Sequence, residues 1–472
     1  MRYTIRHITL LALLAVLLTA CSSESYPGLE NEEERASSLI NTESGKGTSA
    51  VPIVVTLSET GFFNSVVTRG TGPIVMPPET KEDSIRDVEH YENAVIYIYA
   101  FRDQHDAQGN WTYTPDLTKR SSDESDNNTN CLVDGVDPLL GMPSMLDSDR
   151  SGVLHMKRDY LRRDTTLYYP NSREEFGYNF FCYYIDDFQP DQTNARREQD
   201  GIYYKIDLDG TRDIMIGHAP RLTRQVLEER YPDITLSEED RHHVLNVGNY
   251  STFAAYQGIN PIVDMHRTLT RLRFRGIPAD ESACDVQFNR IVVRARRSGT
   301  LCVANANQDQ IGFTFDDELG DIELMQRNPD GHGNSPYVPL VAADSLVNWE
   351  EGMNRENWQD EKNLAGSVVI GGDMLLPPAT EYRMEITYTQ LLKSIDEMTG
   401  ERKKQTLTAV FTMQAPKLKE QTYDPATDSY WFGAGQTFNI NIGVYGLRPI
   451  DCTATLNGWE EGGEIIIDDE YQ

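Results

Sequence analysis

The sequence predicts an all-β protein made of two antiparallel β-sandwiches, and three observations predict it. Apolar residues alternate with period two in one short run after another. Gly, Pro, Asn and Asp punctuate the gaps between those runs. Helix-forming signals are confined to one region near the middle of the chain. A sandwich of about seven strands takes roughly 100 residues, so a chain of 472 residues has room for two and leaves the excess to loops. The expected division is an N-terminal sandwich over 51–245 and a C-terminal one over 246–472, preceded by a signal peptide at 1–20 and an acidic tether at 21–50.

The signal peptide rests on order and length. Arg2, Arg6 and His7 precede an apolar run from Ile8 to Ala20 that is too short to cross a bilayer as a mature helix. The run ends in Leu18-Thr19-Ala20-Cys21, which has the form of a bacterial lipobox, so Cys21 is the expected lipidation site and new N-terminus. An ordinary secretory signal with a coincidental cysteine is the weaker alternative. Ser22 to Ala50 is rich in Ser, Glu, Asn and Gly and reads as a disordered spacer. The net charge of −31 becomes −33 once Arg2 and Arg6 leave with no acid. Such a chain does not bind nucleic acid or an anionic membrane surface by charge, and its acids serve chiefly as a soluble surface.

In Val51 to Leu57, the residues Val51, Ile53, Val55 and Leu57 share one face, which predicts a strand. Pro52 has no N–H to give a ladder and points to a sheet edge. Twelve residues on, Arg69 and Gly70 lie in Thr68-Arg69-Gly70-Thr71-Gly72-Pro73, an exposed, irregular connection in which an arginine is open to proteolysis. From Ala94 to Phe101 both faces are apolar, as in a central strand. The same holds from Phe176 to Ile185, where Tyr178, Phe180, Cys182 and Tyr184 oppose Phe181, Tyr183 and Ile185. Asp213-Ile214-Met215-Ile216-Gly217 follows. Thr223 to Arg230 and Ser237 to Leu245 read as two helices joining the domains, the second opened by Ser237 and Asp240 in capping-box spacing. Adjacent His242 and His243 point apart and make no shared metal site.

In the second half, Thr270, Leu272 and Phe274 alternate with Arg271, Arg273 and Arg275, a strand with an arginine-lined outer face. Those arginines are either solvated, the favoured reading, or paired with acids of a neighbouring subunit. Strands follow at Val286 to Val293, Tyr382 to Thr389 and Thr406 to Met413, the last two forming a hairpin, and then at Phe438 to Val444 and Cys452 to Leu456. The chain continues through Trp459 and Gly462-Gly463 to Ile465-Ile466-Ile467, a short terminal strand in form.

These features together resemble the fimbrillin superfamily, the FimA-like and Mfa-like subunits of type V pili in Bacteroidales. The matching features are the lipobox at Cys21, a first strand followed by an arginine, a central strand ending in Phe101, the Asp213-Ile214-Met215 element, His266 before a strand, and Trp459 before a terminal strand. The resemblance implies Greek-key, transthyretin-like sandwiches and a structural, tip or adhesin subunit of a fimbrium (pilus) used in cell adhesion. It implies a palmitate-bearing lipoprotein at the surface of the cell outer membrane, cut between Arg69 and Gly70. The removable first strand would be Val51, Ile53, Val55 and Leu57, and the donor strand exchanged into the next pilus subunit would be Ile465, Ile466 and Ile467. The early acids of the tether resemble a surface-sorting signal of such lipoproteins. Two alternatives remain: an uncleaved pilus anchor, and a glycan-binding surface lipoprotein of a polysaccharide uptake system.

No nucleophile elbow, His-Glu-x-x-His helix or phosphate loop occurs, and no enzyme or cofactor is expected. Calcium is disfavoured, since Asp207 to Asp213 only partly echoes a calcium loop. An odd set of Cys131, Cys182, Cys284, Cys302 and Cys452 after the lipobox argues against a disulfide framework and leaves open whether Cys284 and Cys302 pair. Trp349 and Trp358 read as loop anchors in preference to sugar platforms.

Overall fold

The computed structural model describes residues 50–58, 94–105, 111–121, 130–146, 152–158, 163–170, 175–186, 188–278, 285–327, 337–342, 346–347, 368–418, 421–444 and 450–457. Cys21, Arg69, Gly70, Cys284, Trp349, Trp358, Trp459 and Ile465 to Ile467 lie outside the described residues. Within them the elements are strands, apart from three short helices and a 3-10 turn, as an all-β class requires.

The first body is organised by β1 (Val55–Leu57), β2 (Ile96–Arg102), β3 (Cys131–Val133), β4 (Met142–Leu146), β5 (Val153–Met156), β6 (Tyr178–Ile185), β7 (Ala195–Arg197), β8 (Gly201–Asp207), β9 (Ile214–His218) and β10 (Ile262–Arg267). Neighbours in the main sheet run β2-β4-β5-β1-β10-β9-β6, and β6 pairs back onto β2, so seven strands close on themselves. β3 continues the lane of β4 along β2. Opposite sides of this ring face each other across one core, as the layers of a sandwich do. That core takes Val55 and Leu57 from β1, Ile96, Ile98 and Ala100 from β2, and Phe180, Cys182 and Tyr184 from β6. The other faces of β2 and β6, carrying Tyr99, Phe101, Phe181 and Tyr183, enter a second core. Both strands are therefore buried on two sides, as their unbroken apolar runs predict.

The second core is covered by a four-stranded sheet ordered β7-β8-β13 (Ser298–Asn305)-β14 (Gly312–Phe315), each strand paired with its neighbours in that order. Strands from beyond residue 245 thus complete both layers of the first body: β10 in the ring and β13 with β14 over it. The helices α1 (Arg224–Arg230), α2 (Glu238–Val247) and α3 (Thr252–Tyr256) lie between β9 and β10. They connect two strands of one ring and do not join two domains. The Ser237 hydroxyl accepts from Asp240 N at 3.1 Å, which supplies the expected cap, and Gly248 ends α2 at φ 73. α3 carries no sequence signal beyond its capping Ser251.

The second body is a sandwich. One sheet orders β16 (Val368–Leu376), β11 (Thr270–Pro278), β19 (Thr437–Val444) and β20 (Asp451–Asn457); the other orders β15 (Leu319–Glu323), β12 (Asp285–Arg296), β17 (Glu381–Ile395) and β18 (Arg402–Gln414). Leu272, Phe274, Phe288, Ile386, Phe438 and Ile440 fill the space between. The register of β12 against β17 slips between Phe288 and Arg290, a bulge that returns Ile291 to the inner face after the alternation breaks.

Three expectations are corrected. β1 is not an edge strand: it pairs with β5 on one side and β10 on the other. Pro52 precedes the ladder and makes only an isolated bridge to Tyr168, so its missing N–H breaks nothing. The sheets are not purely antiparallel, because β1–β10 and β11–β19 are parallel pairs. Arg271 and Arg273 are buried and bonded to Asp373, not solvated. The question left open for Cys302 is answered on its side: it is a buried free thiol, its Sγ 3.5 Å from Ala304 O.

Candidate functional site

The site is the seat of β1 in the ring. Alternation puts Val51, Ile53, Val55 and Leu57 into the core, all four buried, while Pro52 is exposed and Val54 and Thr56 are half-buried. Burying each such side chain stabilises by about 1.5–3 kcal/mol, so the strand carries a large share of a typical domain's stability of about 5–15 kcal/mol. Its backbone is held from both sides. Ile53 N donates to Leu167 O at 2.8 Å and Tyr169 N to Val51 O at 3.0 Å. Thr56 N donates to Pro261 O at 3.0 Å, Leu57 N to Gly152 O at 2.9 Å, and Ser58 N to Val263 O at 2.9 Å. The register places Val55 opposite Leu154 and Leu57 opposite Val263.

The strands lining the seat are fixed independently of β1. β10 pairs with β9, and Gly217 of β9 permits this pairing, since a Cβ there would meet Asp264 O at 2.1 Å. Arg230 of α1 grips Asp264 with two bonds, one of 2.9 Å from Nη1 to Oδ1 and a second from Nη2 to Oδ2. Burial works to raise the Asp264 carboxyl, but bonds from Arg230 and Ser58 win and hold it below the usual carboxylate range. At the far end of β10, Arg267 Nε donates to Asp213 Oδ2 at 2.9 Å with both side chains buried, while Asp213 Oδ1 accepts from Ile214 N at 2.9 Å. That pair explains why an acid opens the Asp213-Ile214-Met215 element. At the end of β2, burial raises the Asp103 carboxyl to about 6, against bonds from Asn249, the charge of Arg221 and a bond from Asn179.

The remaining residues singled out in the sequence play local parts. His266 is exposed on the outward face of β10. His243 bonds Glu175, and His242 Nδ1 lies 3.1 Å from Asn246 Nδ2, so the two histidines serve different neighbours. Asp209 Oδ1 accepts from Thr211 N at 2.9 Å and from its hydroxyl at 2.7 Å, closing a turn. The residues sequence reasoning misses are the walls of the seat, Val153, Leu154, Leu167, Ile262 and Val263. Alternation tells which face a residue occupies, but carries no information about which strand lies beside it.

The chain is similar over most of its length to fimbrial proteins. The fimbrial anchor protein Mfa2 from Porphyromonas gingivalis is 8% identical with a TM-score of 0.28, matching 87% of this chain and 98% of its own. The tip fimbrial protein Mfa3 from the same organism, with a C-terminal truncation, is 9% identical with a TM-score of 0.31, over 86% and 99%. A candidate cell adhesion protein from Bacteroides uniformis is 10% identical with a TM-score of 0.37, over 88% and 100%. At such identities and scores these likenesses carry no weight for function. No protein-family model matches the chain, and no curated protein matches it in sequence.

Proposed function

We propose that the chain is a structural or tip subunit, or adhesin, of a cell-surface type V pilus, exported as a lipoprotein on Cys21 and assembled with other pilus subunits by strand exchange. The observation that carries this reading is the seat of β1. A short strand is held on both sides by backbone bonds, presses four apolar side chains into a core, and is followed within a dozen residues by Arg69. Cutting between Arg69 and Gly70 severs the covalent link between β1 and the rest of the ring. Departure of the strand then leaves two unpaired strand edges and an apolar slot, which another strand fills by β-augmentation. Ile465-Ile466-Ile467 supplies a donor with no proline, after Gly462-Gly463. Head-to-tail transfer of this kind propagates as an open filament.

The test is digestion of the purified chain with an Arg-specific protease, followed by N-terminal sequencing, gel mobility and electron microscopy. The expected product starts at Gly70 and forms ladders, and deletion of Glu464 to Gln472 stops their growth. Ladders from the truncated chain would eliminate the donor. Resistance at Arg69 would favour an uncleaved anchor at the outer membrane or a glycan-binding lipoprotein.

A further inference from the structure

The two longer helices of the first body leave a gap between them. Along α1 and its cap, Arg224, Leu227, Glu228 and Tyr231 stand at i, i+3, i+4 and i+7, so they share one face of the helix. Pro232 follows the cap, and the chain crosses to α2 through Ile234 and Leu236, which are half-buried against the core of the ring. Ile234 N donates to Tyr231 O at 3.1 Å, which fixes the start of that crossing. The crossing and the α1 face do not close on each other. They enclose a cavity of about 260 Å³ that opens to solvent on one side, with Arg241 of α2 at its edge.

The cavity is apolar below and charged above. Leu227, Tyr231 and Ile259 are buried and make its floor, with Ile234 and Leu236 as walls. The Tyr231 hydroxyl donates to Asn260 O and lies 3.5 Å from Tyr250 OH, so the ring and not the hydroxyl is left to line the space. Arg224 and Glu228, both exposed, stand one turn apart at the mouth. No bond joins them, and neither side chain has another partner among the described residues. Arg241 Nη1 donates to Glu238 at 2.7 Å, which leaves most of the five N–H groups of that guanidinium unspent. Opposite charges at i and i+4 normally close on each other; here they are held open over an apolar floor.

We infer that this cavity binds a free α-amino acid with an aliphatic or aromatic side chain. Charge selects the zwitterion. Arg224 and Arg241 meet the carboxylate, while Glu228 meets the ammonium group and repels a simple organic acid. A residue within a peptide, or at one end of it, presents at most one of the two charges. The floor selects an apolar side chain, because a polar one gives up water against Leu227 and Ile259 and gains no partner. Size sets the limit: a cavity of about 150 Å³ holds benzene, so one of about 260 Å³ holds roughly ten non-hydrogen atoms, the size of leucine or phenylalanine. This inference does not rest on the pilus reading and stands if that reading fails.

Titration calorimetry of the full chain with L-leucine, L-phenylalanine, glycine, isocaproate and isoamylamine tests it. Leucine and phenylalanine are expected to bind. Glycine lacks the apolar body, isocaproate the ammonium group and isoamylamine the carboxylate, and each should bind about ten-fold or more weakly than leucine. Arg224→Gln and Glu228→Gln replace exposed side chains, so the melting temperature should hold while leucine affinity falls by about ten-fold in each. No binding of either amino acid at millimolar concentration would overturn the inference, as would isocaproate binding as tightly as leucine. Leucine affinity left intact in both variants, with the fold unchanged, would overturn it too, placing the ligand somewhere other than this cavity.

Discussion

The ring and the second sandwich treat their strand edges in opposite ways. Each of the seven ring strands has a neighbour on both sides, including β1 with its three paired residues. The sandwich ends its sheets openly, and β18 is the clearest case: thirteen residues, paired only with β17 among the described residues, with Lys403, Lys404, Thr406 and Thr408 exposed along it. Lysines on an edge discourage pairing with foreign strands. The strands flanking β1 carry no such protection, because Val153, Leu154, Ile262 and Val263 meet β1 directly. A permanent edge is guarded by its own side chains, and the ring's hidden edges are guarded only by β1.

Substitutions can break or sharpen this contrast. Val55→Asp and Phe274→Asp each place an uncompensated charge in a core, and each should cost about 4 kcal/mol or more in urea denaturation. Equal urea midpoints for Val55→Asp and the unaltered chain would show that β1 is not part of the cooperative ring. Next comes Asp213→Leu, which leaves Arg267 buried without its partner and should cost about 3 kcal/mol, with much of it recovered in Asp213→Leu/Arg267→Met. No recovery in the double variant would show that the pair matters for something other than charge.

Asp103→Asn tests the ring through pH. The folded carboxyl titrates near 6 against 3.8 for the ordinary group. Its ionisation is therefore disfavoured in the fold, and stability present at low pH is lost as pH rises through 6. The variant should gain on the unaltered chain by roughly 2–3 kcal/mol between pH 4 and pH 7, read as a widening gap in melting temperature. A constant gap would remove Asp103 from the titration. The smallest effect belongs to Val410→Asp, on the exposed side of β18, where about 0.5 kcal/mol or less is expected; a larger loss would show that this edge is covered.

Much of the fold was legible because alternation is local. The two-faced burial of β2 and β6, the helix cap at Ser237 and the hairpin of β17 and β18 follow directly from residue order. Neighbours were not legible. Nothing in Ile262-Val263 says that it lies parallel to Thr56-Leu57, and Pro52 misled because a proline just outside a ladder looks the same in sequence as one on an edge. The arginines of β11 misled differently: their alternation located the outer face correctly, but whether an outer face meets water depends on what else packs there.

The parallel pairing of β1 with β10 also sets a clock. Thr56 must find Ile262, with the whole ring and its three helices lying between them in sequence. Contacts so distant along the chain form slowly and late, after local hairpins have set their partners. A strand that docks last contributes little to the folding transition state and much to the barrier against unfolding. Shortening Val55 to Ala should then leave the refolding rate nearly unchanged and speed unfolding by almost the full loss in stability. The lifetime of the closed ring, more than the rate at which it forms, is what β1 governs.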